Sequence, residues 1–346
     1  MNLTIVGAGA IGGTIGAYLA RAGQTPRLVD KDEAHVEAMR ERGLTIQGFA
    51  ETFTAAVDAC TARELTDPLD TVLLAVKSQH TVDALTQIAH LLTPDSTVVS
   101  FQNGLCERMI AETIGPERTV GSFVNFSADY LEPGLITYGG YGSLYLGELD
   151  GRTSDRVLAL REVLSPWGTA TITDNIWGYL WGKMGYGNML FATALADETM
   201  ADVIDRYRAL MIELASEIYA VAAREGITIE PFDNVDPALY FPPENRRPDE
   251  LAQSFDELVA RRHRDQKSKS GVWRDLAGRH RKTAVDQQIG LAVEIGARYG
   301  LPMPLTRKLV EMIHELEDDR RTMSWSNIDE LDALRIATYG EAPEYK

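Results

Sequence analysis

The chain has 346 residues, and its 34 Lys and Arg against 51 Asp and Glu give a formal charge of −17; at ~150 residues per domain, that length predicts two domains. The acidity excludes duplex nucleic acid and anionic membrane surfaces as expected partners, because both are bound by neutralising phosphates with a basic field, and 45 % hydrophobic with 25 % charged residues is an ordinary globular balance. No apolar run approaches the ~20 residues that span a bilayer, the opening MNLTIVGAGA passes straight into an apolar strand, and Cys60 with Cys106 can build neither a disulfide framework nor a metal site, so the expectation is a cytoplasmic protein without a metal.

Apolar, β-branched runs at Leu3–Val6, Arg27–Asp30, Thr71–Val76, Thr97–Phe101 and Thr119–Val124 alternate with helical stretches. This rhythm predicts an α/β, doubly wound Rossmann sheet with crossover helices. Leu135–Glu148 changes character, to short strands broken by glycines that read as antiparallel edge strands. A domain boundary is placed at 172/173. Beyond it the chain reads as all-α: a helical stretch over Thr199–Gly226, a loop or lid with five prolines over Pro231–Pro248, helices over Pro248–Arg262 and Val272–Tyr299, and a polar, loosely ordered end from Arg320.

The strongest motif opens the chain. Gly7-Ala8-Gly9-Ala10-Ile11-Gly12 is a G-x-G-x-x-G turn between a strand and a helix. Gly7 allows the tight turn, Gly9 lets backbone approach a pyrophosphate, and Gly12 allows close helix–strand packing. The helix start at Ala10 and Ile11 offers N–H groups to the phosphates. Asp30 ends the second strand, where a carboxylate binds a ribose diol and repels a 2′-phosphate. That favours NAD, while the adjacent Lys31 keeps NADP open. Lys77 and Asn103 follow the ends of two further strands, where open α/β sheets bind ligands.

In Asp174–Asn188, glycines 178, 182 and 185 share one face of a predicted helix, so another backbone or a cofactor is expected close by. Lys183 lies in the same apolar stretch. Burial there would lower its pKa and suit it to proton exchange with a ketone or alcohol oxygen; the other reading is a lysine snorkelling to the surface. Nine basic residues fall within Arg261–Lys282, either a carboxylate or phosphate attractor or a solvated helix face.

Taken together, GAGAIG, AVKSQ with Lys77, FQNG with Asn103, PGLITYGGYGSLYLGELDG, WGYLWGKM with Lys183, FATAL and SGVWRDLAGRHRKTAVDQQIG resemble the ketopantoate reductase (2-dehydropantoate 2-reductase) family over roughly residues 1–312. The resemblance implies a Rossmann domain joined to a helical domain used for substrate binding and dimerisation. It also implies an active site in the cleft between them, a homodimer, and NADPH-dependent reduction of a 2-oxo acid to a 2-hydroxy acid. By the resemblance, Lys183 is the general acid, and Lys77 and Asn103 position cofactor and substrate. Ser270 and Arg274 are candidates for the substrate carboxylate.

Three positions depart from the family pattern: Gly187 and Phe191 stand where asparagines are usual, Ala284 stands where a substrate-binding glutamate is usual, and Asp30 sits uneasily with strict NADP use. They point to a paralogue with an altered 2-oxo acid, Ala284 being a natural divergence or an introduced change. Two alternatives stay open: an NAD-dependent hydroxy-acid dehydrogenase acting in catabolism, and a dinucleotide-binding protein without catalysis.

Overall fold

A computed structural model describes residues 2–48, 51–140, 142–264, 267–343 and 345. The chain forms two compact units, Met1–Ile176 and Trp177–Lys346.

The first unit contains strands β1 (Leu3–Val6), β2 (Arg27–Val29), β3 (Leu44–Gly48), β4 (Thr52–Ala55), β5 (Asp58–Cys60), β6 (Leu69–Leu74), β7 (Leu92–Ser100), β8 (Thr119–Asn125), β9 (Ala128–Glu132), β10 (Leu135–Tyr138), β11 (Ser143–Glu148) and β12 (Ala170–Ile172). Its helices are α1 (Ala10–Arg21), α2 (Glu33–Arg42), α3 (Thr81–Ile88), α4 (Cys106–Ile114) and α5 (Asp155–Leu164). An eight-stranded sheet runs β12-β11-β8-β7-β6-β1-β2-β5. From β5 to β8 its neighbours are parallel. All four residues of β1 are buried, as expected of a parallel strand covered on both faces. The chain winds outward in both directions from the β1/β6 pair, which makes this the doubly wound Rossmann arrangement.

The glycine-broken stretch Leu135–Glu148 divides between two sheets. β11 pairs antiparallel with β8, near the edge of the large sheet. β10 joins a separate four-stranded sheet, β4-β3-β10-β9, where it runs parallel to β3. That small sheet carries Phe53 and Tyr138 against Tyr18 of α1, at ring-centroid distances of 5.0 and 5.5 Å.

The second unit is helical: α6 (Ile176–Thr193, beginning at the boundary), α7 (Met200–Arg206), α8 (Arg208–Arg224), α9 (Pro248–Arg264), α10 (Gly271–Trp273), α11 (Leu291–Arg298), α12 (Pro304–Glu317) and α13 (Trp325–Tyr339). The stretch expected as one helix over Thr199–Gly226 breaks at Tyr207, whose backbone leaves the helical region at φ −122°, ψ 39°. The stretch expected over Val272–Tyr299 is also broken. π-helical turns at Arg274–Gly278 and Asp286–Gly290 flank an irregular segment. There His280 takes φ +45°, Arg281 bonds back to Asp275, and the Thr283 N–H and hydroxyl both donate to Glu317.

The polar end expected to be loose contains α13, capped by Ser324 and tied inward by Asn327, which donates to the Leu195 carbonyl at 2.9 Å. The proline-rich loop is anchored at Arg246, which pairs with Glu213 and donates to Ser216 Oγ and to the Tyr240 carbonyl. On α6 protein packing accounts for Gly182 and Gly185. A Cβ at Gly182 would lie 2.9 Å from the Glu230 carbonyl oxygen, and one at Gly185 would lie 2.2 Å from the Tyr219 ring.

Candidate functional site

The β1–α1 turn sits where the sheet reverses its winding, and the carboxyl ends of strands at such a point are where open α/β sheets bind ligands. Gly7 takes φ +99°, and a Cβ there would lie 2.6 Å from the Val76 backbone nitrogen. Glycine therefore lets the β1 end approach the segment leading from β6 into Lys77. The N–H groups of Gly7 and Ala8 both donate to the Val29 carbonyl, fixing the turn to β2. Gly12 packs against the turn itself, with the Gly7 carbonyl 2.1 Å from where its Cβ would be. Gly9 differs: it caps α1 with no side-chain bond, and a Cβ there would meet nothing within 4 Å among the described residues. The first N–H groups of a helix have no intrahelical acceptor. Those of Ala10 and Ile11 therefore open beside an unobstructed glycine, a geometry suited to an anion.

Asp30 follows β2 and accepts from the Asp32 N–H at 3.0 Å. Lys31 is exposed, with its Nζ 3.5 Å from His80 Nε2. His80 lies in a 3₁₀ turn, Ser78–His80, capped by Lys77, so the turn after β6 meets the turn after β2. The sequence reading missed His35, which is 1 % exposed and lies 2.9 Å from the Ala8 carbonyl. No local motif marks it, because its partners are the glycine turn and Gly134.

Lys77 and Asn103 follow neighbouring parallel strands, β6 and β7. Gln102, just before Asn103, was not singled out from the sequence. It donates to the Val76 carbonyl at 2.9 Å and to Thr81 Oγ1 at 2.8 Å. Cys106 Sγ donates to the Asn103 carbonyl at 3.4 Å.

In the second unit Lys183 is half-buried on α6. Tyr179, Lys183, Gly187 and Leu190 form a partly exposed stripe on a helix whose other residues are mostly buried. Asn188 faces elsewhere, donating to the Leu214 carbonyl and Thr306 Oγ1, both at 2.8 Å; it is a core residue. Ser270 is buried and caps α10 by accepting from the Trp273 N–H at 3.2 Å. Arg274 lies one turn on, its N–H bonded to the Ser270 carbonyl. Burial holds its guanidinium below the usual arginine range, and the Arg279 cation adds to the effect. Ala284, 9 % exposed, lies across the irregular segment from them. Several of the other basic residues have structural partners: Arg261 bonds the Asp233 carbonyl, Arg262 the Tyr186 hydroxyl, and Arg281 the Asp275 carboxylate. Among the described residues, no cluster of His, Cys, Asp or Glu could hold a metal, and no helix is long and apolar enough to cross a membrane.

A doubly wound sheet with a glycine turn at its reversal point is the arrangement of the dinucleotide-binding class of proteins. The sequence pattern of the ketopantoate reductase PanE/ApbA family matches residues 3–151, and that of the family's C-terminal domain matches residues 175–317. The chain belongs to the ketopantoate reductase family, oxidoreductases acting between a carbonyl and an alcohol. A 2-dehydropantoate 2-reductase from Mesorhizobium japonicum is 34 % identical over 253 residues, covering 66 % of this chain and 77 % of its own. A PanE/ApbA family ketopantoate reductase from Ralstonia eutropha shares the fold, with a TM-score of 0.77 at 24 % identity over 92 % of this chain and 99 % of its own. So does D-mandelate dehydrogenase solved with NADH and anilino(oxo)acetate, with a TM-score of 0.75 at 24 % identity over the same shares.

Proposed function

We propose that the chain reduces a 2-oxo acid of the 2-dehydropantoate type to its 2-hydroxy acid, using a reduced nicotinamide dinucleotide. The observation that carries this reading is the unobstructed Gly9 cradle at the sheet's reversal point, in a chain of this family. When bound, the dinucleotide supplies hydride to the carbonyl carbon. The turn from Gly7 to Gly12 holds its pyrophosphate. Lys77 and Asn103 orient nicotinamide, ribose and ketone. Lys183 gives a proton from Nζ to the alkoxide oxygen. Ser270 and Arg274 form the turn that receives the substrate carboxylate, and Ala284 leaves that region without a hydrogen-bonding side chain. Asp30 favours NADH over NADPH, because its carboxylate meets the ribose diol and repels a 2′-phosphate. A homodimer in a reducing, cytoplasmic setting belongs to the same reading; the buried free thiols of Cys60 and Cys106 accord with that setting.

The test is oxidation of NADH and NADPH in the presence of a panel of 2-oxo acids, followed by Lys183→Ala. Loss of a general acid costs ~10²–10⁴-fold in kcat, with cofactor binding retained. An unchanged kcat removes Lys183 from this role, and cofactor binding without oxidation by any 2-oxo acid leaves a dinucleotide sensor. Asp30 also favours a second reading, an NAD-dependent hydroxy-acid dehydrogenase running in the oxidative direction. Faster reduction of NAD by hydroxy acids than oxidation of NADH by their 2-oxo partners would select it.

A further inference from the structure

We infer that Gln102 is a positioning residue that sets Lys77 relative to Asn103, with Thr81 as its relay; this rests on the function proposed for Lys77. Gln102 is 5 % exposed and immediately precedes Asn103. Its Nε2 donates to the carbonyl of Val76, the residue before Lys77, at 2.9 Å. The same nitrogen donates to Thr81 Oγ1 at 2.8 Å, and that hydroxyl donates to the carbonyl of Ser78, the residue after Lys77, at 2.8 Å. One amide therefore grips the backbone on both sides of Lys77, once directly and once through a hydroxyl. The orientation of that amide is fixed by chemistry, since a carbonyl only accepts, and the group facing Val76 must be NH₂.

What the glutamine supplies is a fixed placement of two strand ends, β6 and β7, that carry the two groups assigned to cofactor and ketone. Small errors in such placement are expensive, since ~1 Å at a reacting centre can cost ~10²-fold in rate.

The experiment is a double-mutant cycle on the full chain. Gln102→Met keeps the length and removes the donors; it should lower kcat/KM about tenfold or more. In a Lys77→Ala background the same change should have little further effect, because its influence passes through Lys77. Equal losses in the two backgrounds, or no loss in the first, would overturn the inference. Should Gln102→Met fail to fold, Thr81→Val and Thr81→Ser decide: valine must lose activity and serine, which keeps the relay hydroxyl, must retain it. Equal activity in the two, or equal loss, overturns the proposal. If Lys77→Ala alone leaves kinetics intact, it is the functional reading of Lys77 that fails. A sensitive Lys77 with a silent Gln102 sinks only the present inference.

Discussion

His35 Nε2 donates to the Ala8 carbonyl inside the glycine turn, at 2.9 Å, while its Nδ1 accepts from the Gly134 N–H at 3.0 Å. The second bond fixes the tautomer, because a nitrogen that accepts cannot carry the proton. The ring thus ties the glycine turn to the β9–β10 turn of the small sheet. Replacing it with leucine leaves two buried backbone groups unpaired, worth ~1–3 kcal/mol each. His35→Leu should weaken NADH binding about tenfold in a fluorescence titration. Unchanged affinity would show that the Gly7–Gly12 turn holds its shape without this support.

The glycines of α6 make a contrasting pair. A Cβ at Gly185 would fall 2.2 Å from the ring of Tyr219, a side chain with no exposure and no room to retreat. Gly185→Ala should therefore destabilise the protein by ~2 kcal/mol or more. At Gly187 a Cβ meets nothing within 4 Å among the described residues. Alanine there should recover the ~0.5–1 kcal/mol that helical glycine forfeits. Thermal unfolding should show a lower midpoint for the first variant and a higher one for the second. A rise for Gly185→Ala would contradict the packing described.

Much of the first unit was legible because its signals are local. The order strand, G-x-G-x-x-G, helix, strand, acid lies within thirty positions, and the apolar runs of β1, β6, β7 and β8 mark a buried parallel sheet. What was not legible depends on distant partners. β3 is short and half-polar; it pairs with its neighbour β4, but its place in the small sheet comes from β10, far along the chain. The glycines at 182 and 185 were equally consistent with a cofactor or a neighbouring backbone until Glu230 and Tyr219 occupied the space. The break between α10 and α11 likewise depends on Glu317, which no pattern within Val272–Tyr299 contains. The site followed the same rule: Lys77 and Asn103 stand out at strand ends, whereas His35 and Gln102 matter through backbone groups they reach across the fold.

Arg246 and Glu213 give the proline-rich loop its anchor. Both side chains are only 13 % exposed, and the guanidinium makes further bonds to Ser216 Oγ and the Tyr240 carbonyl. Removing one member of such a pair leaves an uncompensated charge, at a cost of ~3 kcal/mol. Arg246→Met should lower the unfolding free energy by about that amount, seen as a lower urea midpoint at unchanged m. Arg246→Met with Glu213→Leu should recover part of the loss, because no charge is then stranded. A loop acting as a freely opening lid would instead leave the midpoint of the single variant unchanged.

Cys106 tests the same network from another side. Its Sγ donates to the Asn103 carbonyl, which requires the protonated thiol. Burial pushes that thiol up to about 12, and the neighbouring Glu107 carboxylate adds to the rise. At pH 8 the thiolate, the reactive form, is then far scarcer than in an exposed cysteine. Native protein at pH 8 should resist iodoacetamide at Cys106, and denatured protein should be alkylated promptly; rapid native labelling would show that the β7–α4 turn opens. The linked effect on stability follows from the sign of the shift. Since the folded thiol ionises at higher pH than the unfolded one, its contribution is complete below the ordinary thiol range near ~8.5 and is lost as pH rises towards 12. Cys106→Ser keeps a donor to Asn103 without that ionisation. Its unfolding midpoint should therefore fall less steeply between neutral and strongly alkaline pH than that of the parent protein.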